Sequence, residues 1–203
     1  MNSQNPWLDA TLIISLTAAL MYVSGWAFAY EYFSQFQLGL ISLDIPQDYF
    51  FVYGFWVLKA HWYGLVVPYA LWLGIQYWPN AIVQRYAAYL KPAVPIAVLL
   101  LFWLFYSLAN QLAKATFNEQ QTQDYPSYPV VQIWLTTDSN TPKSLHKLAN
   151  QLGKKCYRLL FHNKDNAFVF RPKRDLPGNL AVTAVPQHNI RSLRILPRYQ
   201  SCP

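Results

Sequence analysis

The stretch from Phe50 to Trp78, FFVYGFWVLKAHWYGLVVPYALWLGIQYW, narrows the folds open to this chain more than any other. It is almost unbroken apolar and aromatic sequence, with one cation, Lys59, and a nearby histidine, His61. A helix rises about 1.5 Å per residue and the hydrocarbon core of a bilayer is about 30 Å thick, so roughly 20 residues cross it. Lys59 has two readings. Within the span, an ionisable group is costly and marks a functional site. With the span beginning near Ala60, its ammonium snorkels into the headgroups. Trp56, Trp62 and Tyr63 then form one aromatic belt, and Trp72, Tyr77 and Trp78 the other.

Charge divides the chain near Lys114. Residues 1–113 carry a net charge of −1, while residues 114–203 carry thirteen Lys or Arg against five acids. Seven of the eight Trp lie in the first part. Such a division predicts three regions: a membrane domain over 1–113, a polar linker over 114–128 and a basic soluble domain over 129–203.

Residues 1–10 contain no Lys or Arg, which argues against a secretory n-region. A first spanning helix is expected over Thr11 to Tyr30. Its small residues, Ser15, Ala18, Ala19, Ser24, Gly25, Ala27 and Ala29, permit close helix approach or simply face lipid. Residues 31–45 reverse the chain, and Asp44-Ile45-Pro46-Gln47 reads as the N-cap of a second spanning helix kinked at Pro68. Ala93 to Leu112 is the third predicted span. The loop 31–49 holds three acids and no Lys or Arg, whereas Pro79 to Pro92 holds Arg85 and Lys91. The positive-inside rule therefore places the N-terminus in the cytoplasm and the basic domain outside.

Beyond Pro126 the pattern changes to a small α+β domain of order βαββββ. Strands are expected at Val130–Leu135, Tyr157–His162, Ala167–Arg171, Leu180–Val185 and Ile190–Leu196, with Asn163 to Asn166 as a hairpin turn. The helix is expected to open at Thr141-Pro142, repeat Leu145, Leu148, Ala149 and Leu152, and close at Gly153.

No phosphate loop, nucleophile elbow or HExxH motif is present, which points away from an enzyme or cofactor protein. Cys156, His162, His188 and Cys202 could supply zinc ligands, but their spacing matches no compact finger. Cys156 and Cys202 are a disulfide or two free thiols according to compartment. Arg171, Lys173, Arg174, Arg191, Arg194 and Arg198 form a candidate basic patch. Anionic lipid headgroups rank first among its partners, a protein second and nucleic acid last. Glu31 and Lys59 are a candidate intramembrane ion pair.

Over Tyr22 to Gly54, Gly25-Trp26, Tyr30, Tyr32, Leu38-Gly39-Leu40, Leu43, Asp48-Tyr49 and Gly54 form a glycine and aromatic texture. In this the chain resembles small multi-span bacterial inner-membrane proteins associated with antiphage or toxin-immunity loci. The resemblance implies no catalytic residues. It implies first a membrane-perturbing effector of an antiphage system, which needs homo-oligomers to open a path, and as the alternative an immunity or scaffold protein that binds a membrane-active partner.

Overall fold

The computed structural model describes residues 6–64, 66, 70, 94–136, 143–154, 157–172 and 180–196. The chain forms two compact units, Met1–Glu31 with Ile45–Lys114, and Tyr32–Asp44 with Ala115–Pro203.

Helix α1 spans Pro6–Ser34, a four-residue helix α2 follows at Leu40–Leu43, α3 covers Asp48–Ala60 and α4 covers Val94–Thr122; the first unit holds α1 up to Glu31, α3, and α4 up to Lys114. Two of these helices are long and apolar enough to cross a membrane: Thr11–Ser34 within α1 and Pro95–Thr122 within α4. The expected second span is interrupted. At His61 the backbone leaves helical geometry (φ −125°, ψ 37°), although its N–H still donates to Val57 O at 3.0 Å. Helical bonding resumes with Gly64 N–H to His61 O and Val66 N–H to Trp62 O. Pro68 and the rest of that segment, together with the Arg85 and Lys91 loop, lie outside the described residues.

The α1–α3 contact is set by two glycines. A Cβ on Gly25 would overlap Phe50 O and lie 2.6 Å from Gly54 N, and one on Gly54 would overlap Met21 O. Because Gly25 meets Phe50 while Met21 meets Gly54, the two helices run antiparallel. Ring pairs flank this crossing: Tyr22 with Phe50 (5.8 Å) and Phe28 with Tyr53 (5.5 Å). Ser24 is buried beside it and returns its hydroxyl to Leu20 O at 2.7 Å, so no polar group is orphaned there.

Asp44 does not N-cap α3. It sits in the left-handed region (φ 48°) as the C-cap of α2, and Gln47 precedes α3 without a side-chain cap. Nor is 114–128 a linker throughout, because α4 continues to Thr122. Both long helices end alike. Leu38 N–H reaches Phe33 O and Gln37 N–H reaches Ser34 O; Tyr125 N–H reaches Gln120 O and Asp124 N–H reaches Gln121 O. These paired 6→1 and 5→2 bonds are Schellman motifs, with Gln37 (φ 57°) and Asp124 (φ 61°) in the position glycine usually takes.

The second unit is built on a five-stranded antiparallel sheet of order β4-β3-β2-β1-β5. Its strands are β1 Val130–Leu135, β2 Tyr157–His162, β3 Asn166–Phe170, β4 Val182–Pro186 and β5 Ile190–Leu196, with helix α5 at Lys143–Lys154. The βαββββ order expected from sequence is therefore present. The β2–β3 turn closes on Asn163, whose Oδ1 accepts from Asp165 N–H (3.0 Å) and Asn166 N–H (2.7 Å). One face packs Val131, Ile133, Tyr157, Val169 and Val185 against Leu148 and Leu152 of α5. The expected cap at Thr141-Pro142 lies outside the described residues.

Candidate functional site

The other face of the sheet is covered by residues whose local pattern reads as a turn and a linker. Val130, Arg158, Phe168 and Phe170 are buried there. Phe36, from the segment after α1, is fully buried and lies 5.2 Å from the Phe170 ring and 5.3 Å from Phe117. Tyr125 and Tyr128 close the cluster at 5.0 and 5.6 Å from Phe170. Asn163 Nδ2 donates to Leu43 O at 3.1 Å, tying the same segment to the β2–β3 turn. Edge-to-face ring pairs of this kind add to the burial of large apolar area.

Polar groups are threaded through this layer. The Tyr32 and Tyr128 hydroxyls are 2.8 Å apart. Arg158, only 5 % exposed, donates from Nη1 to Tyr128 O at 2.6 Å, while its Nε and the Tyr125 hydroxyl have no protein partner. Burial lowers the Arg158 pKa, and the Asp124 carboxylate partly opposes that. Burial likewise pushes the Tyr125 phenol far above its ordinary value, with Tyr32 and Asp124 adding to the effect. Tyr125 also has a left-handed backbone (φ 56°), directly after Asp124. Two such non-glycine residues in succession store strain that the packing above must hold. The arrangement offers a buried cation and phenols but no activated nucleophile. Chemically it is a clamp that fixes 115–128 and 32–44 on the sheet.

The residues singled out from sequence are dispersed. Lys114 Nζ stands 3.6 Å from Glu31 Oε1, a pairing not anticipated, and Lys59 is exposed in the last turn of α3. Arg171, Arg191 and Arg194 are exposed. Arg171 follows β3, and β2 and β1 separate β3 from β5, so these arginines do not form one cluster. Lys173, Arg174, Arg198, Cys156 and Cys202 lie outside the described residues. His162 Nε2 is 3.0 Å from Gln187 Oε1, and His188 is exposed in the 3₁₀ turn before β5. Among the described residues no group of His, Cys, Asp and Glu is arranged to hold a metal. Arg158 and the Tyr125 layer were missed. The one available signal was an arginine inside an apolar strand, Tyr157-Arg158-Leu159-Leu160-Phe161, where a charge needs a partner.

Comparison with protein-family models, with curated proteins and with solved structures found no match to this chain.

Proposed function

We propose that this chain is a non-enzymatic multi-pass membrane protein that holds a small binding domain at the surface of the bacterial inner membrane, in an immunity or scaffold role toward a membrane-active partner. The observation that carries the membrane part of this reading is the surface of the first unit. Bulky apolar side chains point outward on α4, with Leu99 69 % and Trp103 68 % exposed, and Leu12, Ile14, Phe55 and Trp56 do the same on α1 and α3. Apolar surface of that extent marks an interaction face, and one this rich in Leu, Ile and Trp suits lipid.

The Glu31–Lys114 pair supports the multi-pass reading. Both helices run C-terminally toward it, from Thr11 to Glu31 and from Pro95 to Lys114. Each of these lengths is about 30 Å of helix, the thickness of a hydrocarbon core. Between them α3 turns back antiparallel to α1. Exposed Trp26 and Tyr30, stacked at 5.4 Å, lie within one or two turns of the pair, where an aromatic belt belongs. The charge difference between the two loops supports a cytoplasmic N-terminus.

An effector that oligomerises into a lesion has its own foothold. Ser15, Ala18 and Ala19 are small and exposed, although Ser24, Gly25, Ala27 and Ala29 are buried inside the unit. Expression of the chain alone with a membrane-potential dye separates the roles. The proposal expects full membrane retention after alkaline carbonate washing, no depolarisation and unimpaired growth. Depolarisation with growth arrest overturns it in favour of the effector. Release into the wash overturns the membrane reading altogether.

A further inference from the structure

The sheet has two edges, and they differ in what they offer. β4 has five residues, ends in Pro186, and is pinned there by Gln187 N–H donating to Asp165 O at 2.7 Å. Such a short edge closed by proline resists further pairing. β5 has seven residues and pairs with β1 along Val130–Leu135. Among the described residues, no strand lies on its outer side. That side presents a row of main-chain donors and acceptors that another extended chain can complete.

The side chains along β5 narrow the choice of chain. Arg191, Ser192 and Arg194 are exposed, Ile195 is 59 % exposed, and the strand contains no acid. The register shift opposite Trp134 and Leu135 makes Arg191 the extra residue between Ile190 and Ser192. The arginines disfavour a second copy of β5, which would bring like charges together across the new pair. An acidic segment meets complementary charge instead, and Ile195 gives it one apolar contact.

We propose that the free edge of β5 takes up an extended acidic segment of a partner protein as an added strand, with Arg191 and Arg194 selecting for carboxylates. Main-chain hydrogen bonds supply affinity in this mode and the flanking side chains supply selectivity. The proposal rests on the sheet and not on the membrane role, so either can fail without the other.

The test uses the full chain in nanodiscs of neutral phospholipid and a fluorescein-labelled peptide of alternating Glu and Val. The peptide has about eight residues, enough to match a strand of ordinary length. Controls are the same peptide with every backbone amide methylated, a Lys–Val peptide, and vesicles rich in phosphatidylserine. Fluorescence anisotropy should show saturable binding of the Glu–Val peptide alone, weakening with salt because the charges are exposed. Arg191→Gln with Arg194→Gln should raise its Kd about tenfold, whereas Arg191→Lys with Arg194→Lys should stay within about threefold. Equal binding of the methylated peptide overturns strand addition, since charge alone would then suffice. Capture by the vesicles with the same arginine dependence, and no binding of the peptide, overturns the protein partner in favour of lipid. Absence of peptide binding at millimolar concentration, with the sheet intact by circular dichroism, overturns the proposal outright.

Discussion

At the scale of single residues, backbone contact decides what is replaceable. Gly25 and Gly54 face carbonyl oxygens and an amide of the opposing helix, atoms that cannot rotate away. Gly25→Ala or Gly54→Ala should therefore separate α1 from α3 and cost about 1–3 kcal/mol, as overpacking does. Gly39 is the contrast: its φ is −73° and the nearest atom to an added Cβ is Ser42 Oγ at 4.0 Å. Gly39→Ala should be neutral or stabilising by up to about 1 kcal/mol, through the entropy of the unfolded chain. Thermal unfolding in detergent checks all three, and equal tolerance of the three would contradict the tight crossing. Tyr125 yields a pH prediction. Its phenol is raised above the unfolded value of about 10, so the fold favours the neutral form. That contribution is complete below the unfolded pKa and is lost as pH climbs toward the folded one. The wild type should lose stability above about pH 10, and Tyr125→Phe should lose less of it. At neutral pH the same substitution should cost little, because it removes a buried hydroxyl that has no protein partner.

At the scale of elements, the ends of α1 and α4 and their outward faces matter most. Gln37 is exposed and holds a left-handed conformation at a Schellman position. Gln37→Gly should relieve that conformation and stabilise the second unit by about 1 kcal/mol, measured by chemical denaturation. A loss of stability would mean that the Gln37 side chain makes a contact worth more than the strain. On α4, the exposed Leu104 lies midway between Pro95 and Lys114. Leu104→Lys should cost about 2.5–3.5 kcal/mol of insertion and shift protein from the membrane into the carbonate wash. Leu104→Phe should not. The Glu31–Lys114 pair contributes far less than this to stability, since Lys114 is 61 % exposed and water screens the attraction.

For the whole molecule, the question is which side of the bilayer each part occupies. A periplasmic reporter fused after Thr136, just past the end of β1, should be active if the basic domain lies outside, and one placed at Asn80 should be inactive. The reverse pattern would invert the orientation while leaving the number of crossings intact. The same fusions separate a membrane-spanning chain from a soluble one, in which neither reporter would cross.

Local chemistry made much of this fold readable. Strands β1, β2 and β5 coincide with the alternating apolar runs expected at Val130–Leu135, Tyr157–His162 and Ile190–Leu196. The Asn163 turn follows from the capacity of an asparagine side chain to bond its own following backbone. Period and turn propensity act over a few residues, so sequence alone determined the order of elements in the sheet domain and the apolar character of α1 and α4. What covers the second face of the sheet was decided by tertiary structure. Phe36, Phe117 and Tyr125 are far apart in sequence and lie in stretches that looked like turn or linker. Their burial depends on meeting Phe170, which no local pattern encodes. The same holds for Gly25, whose role is fixed by Phe50 and Gly54 on another helix, and for Glu31, whose cation arrives from α4. Local pattern sets which face of an element is apolar, and only the closure of long loops decides what that face meets.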